Sequence, residues 1–180
     1  MSENKYTGCV QWFNKRRGFG FIKVVDPSND LNDTEFFCHY SNINTTNYKC
    51  MIQMKNYTGE GAYVVISLLN PKGKYEKTLY VQGNDDEWYF DITEWWNFQG
   101  KKRDDVDAIT GATISGGERT ISLINIENDK IDKGYKIRFE TAVEDQEYYK
   151  DDVEFELTSE NVKLKTEGKG FIRYIKMIAQ

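Results

Sequence analysis

Residues 11–24 read QWFNKRRGFGFIKV, and this stretch indicates what the first part of the chain folds into. Aromatic residues are interleaved there with glycines and with a basic cluster, KRR. Because alternate side chains of a β-strand share a face, we expect Phe19 and Phe21 to stand side by side, whereas Gly18 and Gly20 leave the opposite face nearly bare. Aromatic rings beside cations suit single-stranded nucleic acid, whose bases stack and whose phosphates are charged. The alternative is that these rings form the core of a small β protein.

A second stretch, FFCHY at 36–40, alternates in the same manner after an acidic turn. Its pattern places Phe37 and His39 on one face of a strand. Trp12, on a preceding antiparallel strand, is expected to join Phe19 on the shared face. The two stretches together therefore predict one sheet face that carries several rings.

These stretches resemble the cold-shock domain, a small five-stranded barrel of the OB type that binds nucleic acid. The resemblance covers roughly residues 5–50. It is carried by WFN at 12–14, by GFGFI at 18–22, which is similar to the first ribonucleoprotein motif, and by FFCHYSNI at 36–43, which is similar to the second. By that likeness, the nucleic-acid-binding face consists of Trp12, Lys15, Phe19, Phe21, Phe37, His39 and Tyr40.

The chain departs from the family pattern in two places. Arg17 stands where the family usually has lysine, which is a mild change. After Cys50, the two strands that would close the barrel are not recognisable, and the sequence changes character at about Met51. Three strands in ~50 residues bury too little surface to be stable alone. We therefore expect an incomplete barrel that borrows strands from the following sequence, packs on the second part of the chain, or self-associates through open strand edges.

Composition narrows the functional classes. The net charge is −5, but residues 1–50 hold six Lys/Arg against five Asp/Glu, whereas residues 51–180 hold eighteen against twenty-four. Tight, non-specific nucleic-acid binding by the whole chain is thus disfavoured. Three cysteines without a Cys-x-x-Cys spacing and a single histidine predict no metal site. The N-terminus lacks an apolar leader and no run reaches membrane-spanning length, so the chain is expected to be cytoplasmic without a membrane partner.

Residues 51–180 predict an immunoglobulin-like antiparallel β-sandwich, and the whole chain is expected to be all-β. About seven short apolar strands are separated by turn signals, and 91–98 is expected to form one helical turn. Most aromatic residues are expected to be core, although Trp88, Trp95 and Trp96 could instead line a groove for a ring-shaped ligand. The only histidine lies in the first part, so no Ser-His-Asp or Cys-His arrangement exists and we predict no enzyme activity.

One segment of this second part indicates a candidate function as well as a structure. DAITGATIS at 107–115 is rich in hydroxyl groups and small residues, which predicts a turn that exposes Thr113. It resembles the acceptor sequence on which bacterial FMN transferases attach flavin to threonine through a phosphoester bond. The likeness implies covalent FMN on Thr113, and the matching positions are Asp107, Thr110, Gly111, Ala112 and Thr113. The alternative is a plain glycine-containing turn.

The wider region, from about 48 to 178, resembles a family of predicted periplasmic bacterial proteins that carry a domain of unknown function linked to flavin transfer. The segments that carry the likeness are NYTGEGAYVVISLLNPKGKYEKTLYVQG, EWYFDITEWW, DAITGATISGG and GYKIRFETAVEDQEYY. Such proteins are exported, whereas this chain shows no export signal. The sequence therefore predicts a single-stranded RNA or DNA binding module at 1–50 joined to a sandwich at 51–180. The alternatives are a flavin-carrying redox protein and an inert scaffold or chimera.

Overall fold

The computed structural model describes residues 8–14, 16–25, 30–39, 45–83, 85–100 and 111–180. The chain divides into two compact units, residues 1–45 and residues 46–180. Antiparallel sheets make up most of the regular structure in both units, and a single short α-helix occurs among the described residues. The prediction of an all-β chain is confirmed.

The first unit contains a three-stranded antiparallel sheet with β2 in the middle. Its strands are β1 (Gly8–Asn14), β2 (Phe19–Val24) and β3 (Glu35–His39). The turn between β1 and β2 is organised by Asn14, whose side-chain oxygen accepts from the backbone N–H of Arg17 at 2.9 Å and whose carbonyl accepts from Gly18 at 2.8 Å. Gly18 has a φ of 71°, which glycine adopts without strain. A tight hairpin thus joins the two strands that carry the first motif.

The second unit is built from two four-stranded sheets. The first has the order β10-β11-β4-β7, and the second has the order β6-β5-β8-β9. The strands of the first sheet are β4 (Thr45–Met54), β7 (Arg119–Glu127), β10 (Lys165–Glu167) and β11 (Ile172–Ala179). Those of the second are β5 (Tyr63–Leu69), β6 (Tyr75–Gln82), β8 (Lys136–Ala142) and β9 (Tyr148–Glu156).

The two sheets of the second unit enclose one hydrophobic core. A single cluster of buried side chains includes Ile52 and Ile124 from the first sheet and Ile66 and Phe139 from the second. Inward residues alternate with exposed ones along β4 and β7, as expected for strands with one buried face. The chain therefore folds here into two packed layers, whereas the immunoglobulin-like connectivity stays a prediction.

The β5 strand is buried on both faces, because all seven of its residues are inaccessible to solvent or nearly so. One face lies in the core between the sheets. The other face is covered by a 3₁₀ segment, Asp86–Asp91, and by the helix α1 (Thr93–Phe98), which contribute Tyr89 and Trp95 to a second buried cluster with Val65. This two-sided cover explains why YVVISLL is apolar at every position except Ser67.

The tryptophans of this region are mainly core residues. Trp95 is completely buried, and its indole N–H donates to the Thr78 hydroxyl at 2.9 Å. Trp96 is also buried, and Trp88 is partly buried at the edge of the same cluster. The interpretation as core is confirmed for Trp95 and Trp96, since the sheet and the helical segment enclose them.

A buried carboxylate links β8 to the helical cover. Glu140 is fully buried and accepts hydrogen bonds from the hydroxyl groups of Tyr75 at 2.6 Å and Tyr148 at 2.5 Å. The Tyr148 oxygen in turn accepts from the backbone N–H of Glu94 at the start of α1, at 3.3 Å. Burial raises the pKa of Glu140, and the two tyrosine hydrogen bonds offset that effect only in part.

The strands after residue 45 belong to the second unit. The β4 strand pairs with β11 from Tyr48 to Met54, and β5 pairs with β6 and β8. Neither strand is a neighbour of β1, β2 or β3 in a sheet. Among the described residues, the sheet of the first unit is therefore limited to three strands.

Candidate nucleic-acid interface

Four rings of the first unit lie together on one face of its sheet. Trp12 contacts Phe19 and Phe21 with ring centroids 5.7 and 5.5 Å apart, and Phe37 contacts the same two rings at 5.6 and 5.8 Å. The interplanar angles range from 31° to 79°, so the rings meet in tilted and edge-on arrangements. We call these four residues the aromatic face.

The strand register explains why these rings meet. Phe21 on the central strand is paired with Trp12 on β1 and with Phe37 on β3, and Phe19 is paired with His39. Residues paired directly across an antiparallel sheet point to the same side. The predicted grouping of alternate aromatic residues from three strands thus results from ordinary pairing.

A β-bulge in β1 positions Trp12. The register shifts between Val10 and Trp12, so that Val10 pairs with Ile22 while Trp12 pairs with Phe21. Two residues that would share a face in a regular strand are thereby placed on opposite faces. The bulge brings Trp12 onto the aromatic face, and no feature of the sequence signals it.

Gly20 allows the backbone of β1 to lie close to β2. A Cβ atom on Gly20 would lie 2.2 Å from the carbonyl oxygen of Trp12 and 2.7 Å from the Cα atom of Phe13, so no larger residue fits beneath β1. The opposite face is not bare either, because it carries Val10 and Phe36, which are 64% and 43% exposed. The expectation that Gly18 and Gly20 leave the opposite face nearly bare is therefore wrong, since Val10 and Phe36 are both paired with Ile22 on that face.

The aromatic face combines accessible rings with neighbouring cations. Trp12 is 47% and Phe37 is 56% exposed, whereas Phe19 and Phe21 between them are partly buried. Arg16 lies exposed in the adjoining turn, and no carboxylate among the described residues forms an ion pair with it. Two accessible rings flanking two supporting rings form a platform on which planar groups can stack.

Four of the seven predicted binding residues, Trp12, Phe19, Phe21 and Phe37, form the aromatic face. His39 is partly buried on β3 opposite Phe19. Lys15 and Tyr40 lie outside the described residues. Sequence reasoning missed the role of Asn14, although an asparagine four residues before a glycine, between two strands, is a recognisable turn signal.

The predicted flavin acceptor lies in the second unit beside a cavity of about 270 Å³. Asp107 and Thr110 lie outside the described residues, so the structure places only the second half of the motif. The cavity is lined by Glu60, Gly61, Tyr63, Asp85, Trp88, Ala112, Thr113 and Glu144.

Backbone contacts hold the second half of the motif in place. Gly83 donates to the carbonyl of Gly111 at 3.3 Å, and the Gln82 side chain donates to that of Ala112. Ala62 and Ile114 exchange both backbone hydrogen bonds, at 2.8 and 3.1 Å. Thr113 is therefore fixed between two anchored neighbours and is partly exposed.

The cavity is acidic. Glu60, Asp85 and Glu144 contribute carboxylates to its lining. Burial and nearby carboxylates, Asp85 first among them, raise the pKa of Tyr63 to about 12. Within the described ranges, no group of His, Cys, Asp or Glu side chains is arranged to hold a metal ion, and no helix is long and apolar enough to cross a membrane.

Comparison with known proteins identifies two matching families. Residues 45–174 match the family described as "Predicted periplasmic protein (DUF2271)", and residues 6–55 match the "'Cold-shock' DNA-binding domain". Both matches include residues 45–55, which contain β4 and its pairing with β11 of the second unit. No solved structure matches the chain significantly.

Relatives of the first part are small bacterial proteins. The Cold shock-like protein CspB of Escherichia coli (strain K12) is 44% identical over 55 residues, which is 31% of this chain and 70% of that protein. The Cold shock-like protein CspI of the same strain is 42% identical over 50 residues, 28% of this chain and 64% of that protein. The Cold shock-like protein CspB of Yersinia pestis is 42% identical over 53 residues, 29% of this chain and 69% of that protein.

These matches confirm both predicted resemblances, including the periplasmic assignment of the relatives of the second part. The link of the second family to flavin transfer and a cytoplasmic location of this chain stay predictions. The chain spans about two thirds of the length of the cold-shock relatives. It belongs to the family of predicted periplasmic proteins (DUF2271) through residues 45–174 and begins with a segment of the cold-shock family.

Proposed function

We propose that this chain binds single-stranded RNA or DNA through the aromatic face of its first unit. The observation that carries the proposal is the cluster of Trp12, Phe19, Phe21 and Phe37, with centroids 5.5–5.8 Å apart and two rings open to solvent. The family that matches residues 6–55 is described as a "'Cold-shock' DNA-binding domain", and the relatives of this segment are named as cold shock-like proteins. Both facts support the same class of partner.

Stacking supplies most of the expected affinity. A base stacked on an aromatic ring contributes about 1–3 kcal/mol, and every base has a face that can stack. Arg16, Arg17 and Lys15 add an electrostatic contribution that weakens as salt rises. The second unit carries a net negative charge, so its overall charge adds no such attraction. We therefore expect weak, micromolar binding with little sequence preference.

Titration of a fluorescently labelled single-stranded pyrimidine oligonucleotide, followed by anisotropy at low salt, tests this proposal. Phe19→Ala should weaken binding roughly tenfold, equivalent to about one stacking contact, because it removes the ring that supports both Trp12 and Phe37. Phe90→Ala is the control, because Phe90 is a similarly accessible ring in the second unit, 54% exposed. Absence of binding by the unaltered chain, or an equal loss in both variants, would refute the proposed site.

A second candidate function is that of a flavin carrier, with FMN on Thr113. The favouring observation is that Thr113 lines a cavity whose wall also contains the ring of Trp88, on which an isoalloxazine could stack. The hydroxyl and the ring fit the group, whereas the carboxylates of Glu60, Asp85 and Glu144 would repel its phosphate unless a divalent cation accompanied it. Bound flavin would supply redox chemistry, and the protein would act as a rigid carrier.

In this second function, Thr113 is the acceptor. Its hydroxyl would lose a proton and form a phosphoester bond with the flavin phosphate, while AMP leaves from a flavin dinucleotide donor. Gly61 leaves room for this side chain, because a Cβ atom there would lie 2.3 Å from Thr113 Oγ1. Replacement of Gly61 would therefore disturb the acceptor directly.

Intact-mass analysis tests the flavin carrier. For this test, the chain is directed to export in a host that has an active FMN transferase. The expected result is one covalent FMN per chain. Thr113→Ala should abolish the modification, whereas Ser115→Ala, two residues away, should keep it. An unmodified mass, or flavin mapped to another residue, would remove this function. If the oligonucleotide titration also fails, neither of these two functions holds and the alternative of an inert scaffold is favoured.

A further inference from the structure

The outward face of the sheet β10-β11-β4-β7 exposes large aliphatic residues. Ile121 and Leu123 on β7 are 60% and 64% exposed, and Ile178 on β11 is 52% exposed. They alternate with inward residues such as Ile124, which is buried in the core. Exposed aliphatic residues grouped on one sheet face mark an interaction surface.

Side-chain contacts align β7 with β4 on this face. Arg119 Nε donates to Gln53 Oε1 at 3.0 Å, and Asn125 Nδ2 donates to Asn47 Oδ1 at 2.8 Å. The two contacts span the same number of residues on each strand. The outward residues between them on β4, which are 49 and 51, therefore lie beside the outward residues 121 and 123 of β7.

The other neighbour of β4 extends the same surface. In the pairing of β11 with β4, Lys176 is opposite Met51 and Ile178 is opposite Lys49. Lysine and aliphatic side chains consequently occupy neighbouring positions across the two central strands. We call the outward residues Lys49, Arg119, Ile121, Leu123, Lys176 and Ile178 the basic-aliphatic face.

Among the residues that the structure describes, no carboxylate forms an ion pair with the cations of this face. Lys49 and Lys176 form no ion pair within the described part of the chain, and Arg119 contacts the neutral groups of Gln53 and Tyr174. Glu167, on the short edge strand β10, is a carboxylate at the margin. The surrounding unit is acidic, with nineteen Lys/Arg against twenty-four Asp/Glu in residues 46–180. Positive charge is thus concentrated where the aliphatic residues are exposed.

This combination disfavours several partners. A second copy packed face to face would bring like charges together. Protein–protein interfaces place an apolar centre inside a polar rim and are depleted in lysine, whereas here Lys49 and Lys176 lie among the aliphatic residues. Single-stranded nucleic acid needs free rings, and the ring of Tyr174 already has Lys165 Nζ 4.0 Å from its centroid.

We propose that the basic-aliphatic face docks on the surface of an anionic membrane. Aliphatic side chains such as Leu123 would enter the boundary between headgroups and acyl chains, and lysines extend their charged ends back to anionic headgroups. Each cation near such a surface strengthens binding severalfold. The acidic remainder of the unit would orient the molecule with this face toward the membrane. The sequence predicts no membrane partner because no run can span a bilayer, but peripheral docking requires no span.

Co-flotation of the full chain with phospholipid vesicles tests this inference. The chain should float with vesicles that contain phosphatidylcholine and phosphatidylglycerol and should not float with pure phosphatidylcholine. The double variant Lys49→Glu/Lys176→Glu should lower the partition coefficient by roughly tenfold or more. Leu123→Gln keeps every charge and should lower it several-fold.

The control is Lys72→Glu/Lys74→Glu, which makes the same charge change in the exposed turn between β5 and β6. It should bind anionic vesicles nearly as well as the unaltered chain. The inference is overturned if the unaltered chain ignores anionic vesicles, or if the control loses as much binding as the variant of the face. It is also overturned if the unaltered chain does not bind vesicles but binds single-stranded DNA, and the Lys49→Glu/Lys176→Glu variant loses that DNA binding.

Discussion

The two units use aromatic residues in opposite ways. In the first unit, Trp12 and Phe37 stand on one face of a three-stranded sheet and remain about half exposed. In the second unit, Tyr89 and Trp95 belong to the helical segment that covers β5, and both are completely buried between that segment and the sheet. Aromatic content alone therefore does not mark a binding site. What covers the ring decides whether it stabilises the fold or remains available to a ligand.

The units also differ in how much core they contain. The second unit packs two four-stranded sheets around one cluster of buried residues and adds a second cluster under α1. The first unit presents three strands whose apolar side chains, apart from the buried Val24, are partly or largely exposed on both faces. Independent stability generally requires three or more strands with a buried face. The comparison predicts that the second unit supports its own folding and that the first does not.

Separating the two units into fragments should produce the largest difference in folding stability. A fragment of residues 45–180 keeps β4 with its partners β11 and β7 and should unfold in one cooperative transition. A fragment of residues 1–44 should be largely unfolded, since it buries too little apolar surface. Circular dichroism during heating distinguishes the two fragments. A cooperative transition in the shorter fragment would contradict the comparison and would indicate that its strands self-associate.

Replacing one tryptophan in each unit should sharpen the contrast. Trp95→Ala removes a fully buried ring and its hydrogen bond to Thr78, so it should lower the free energy of unfolding by about 3–5 kcal/mol. Trp12→Ala removes a half-exposed ring and should leave unfolding of the second unit unchanged while weakening oligonucleotide binding. Urea titration followed by circular dichroism measures both. Similar loss of stability in the two variants would show that Trp12 is also a core residue.

A smaller effect concerns the buried carboxylate under the helical cover. Burial raises the pKa of Glu140 above its unfolded value. Such a group contributes stability at low pH, and this contribution is lost as pH rises from about 4.5 through the raised pKa. Glu140→Gln removes this titration. The stability of the variant relative to the unaltered protein should therefore improve between pH 4 and pH 7, as measured by urea unfolding at each pH. A constant or declining difference would contradict the raised pKa.

Much of this arrangement can be predicted from the sequence. The pattern predicts Tyr63–Leu69 as a strand, and the strand has those bounds. The stretch is apolar except for Ser67 and lies between two turn signals, which favours a buried strand. The short helix after Asp91 is also expected from the sequence. The aromatic face can be predicted because alternation places Phe19 with Phe21, and only the pairing of three strands is then needed.

The remainder depends on contacts between distant segments. The bulge before Trp12 and the close approach of β1 to Gly20 arise from strand pairing, which alternation does not encode. The strand at 165–167 is too short to show a period. Sequence reasoning misses the beginning of β4 at Thr45 because its polar residues, Thr46 and Asn47, are held by side-chain hydrogen bonds to Asn128 and Asn125.

The most direct test of the account compares two neighbouring phenylalanines on β3. Phe37 lies on the aromatic face and Phe36 on the opposite face, and the two side chains are similarly exposed, at 56% and 43%. Binding of a labelled single-stranded oligonucleotide is measured by anisotropy for Phe37→Ala and Phe36→Ala in the full chain. The account predicts that Phe37→Ala weakens binding roughly tenfold, as expected for one lost stacking contact, while Phe36→Ala changes it less than about twofold. Equal affinities in the two variants would contradict the claim that the aromatic face binds nucleic acid.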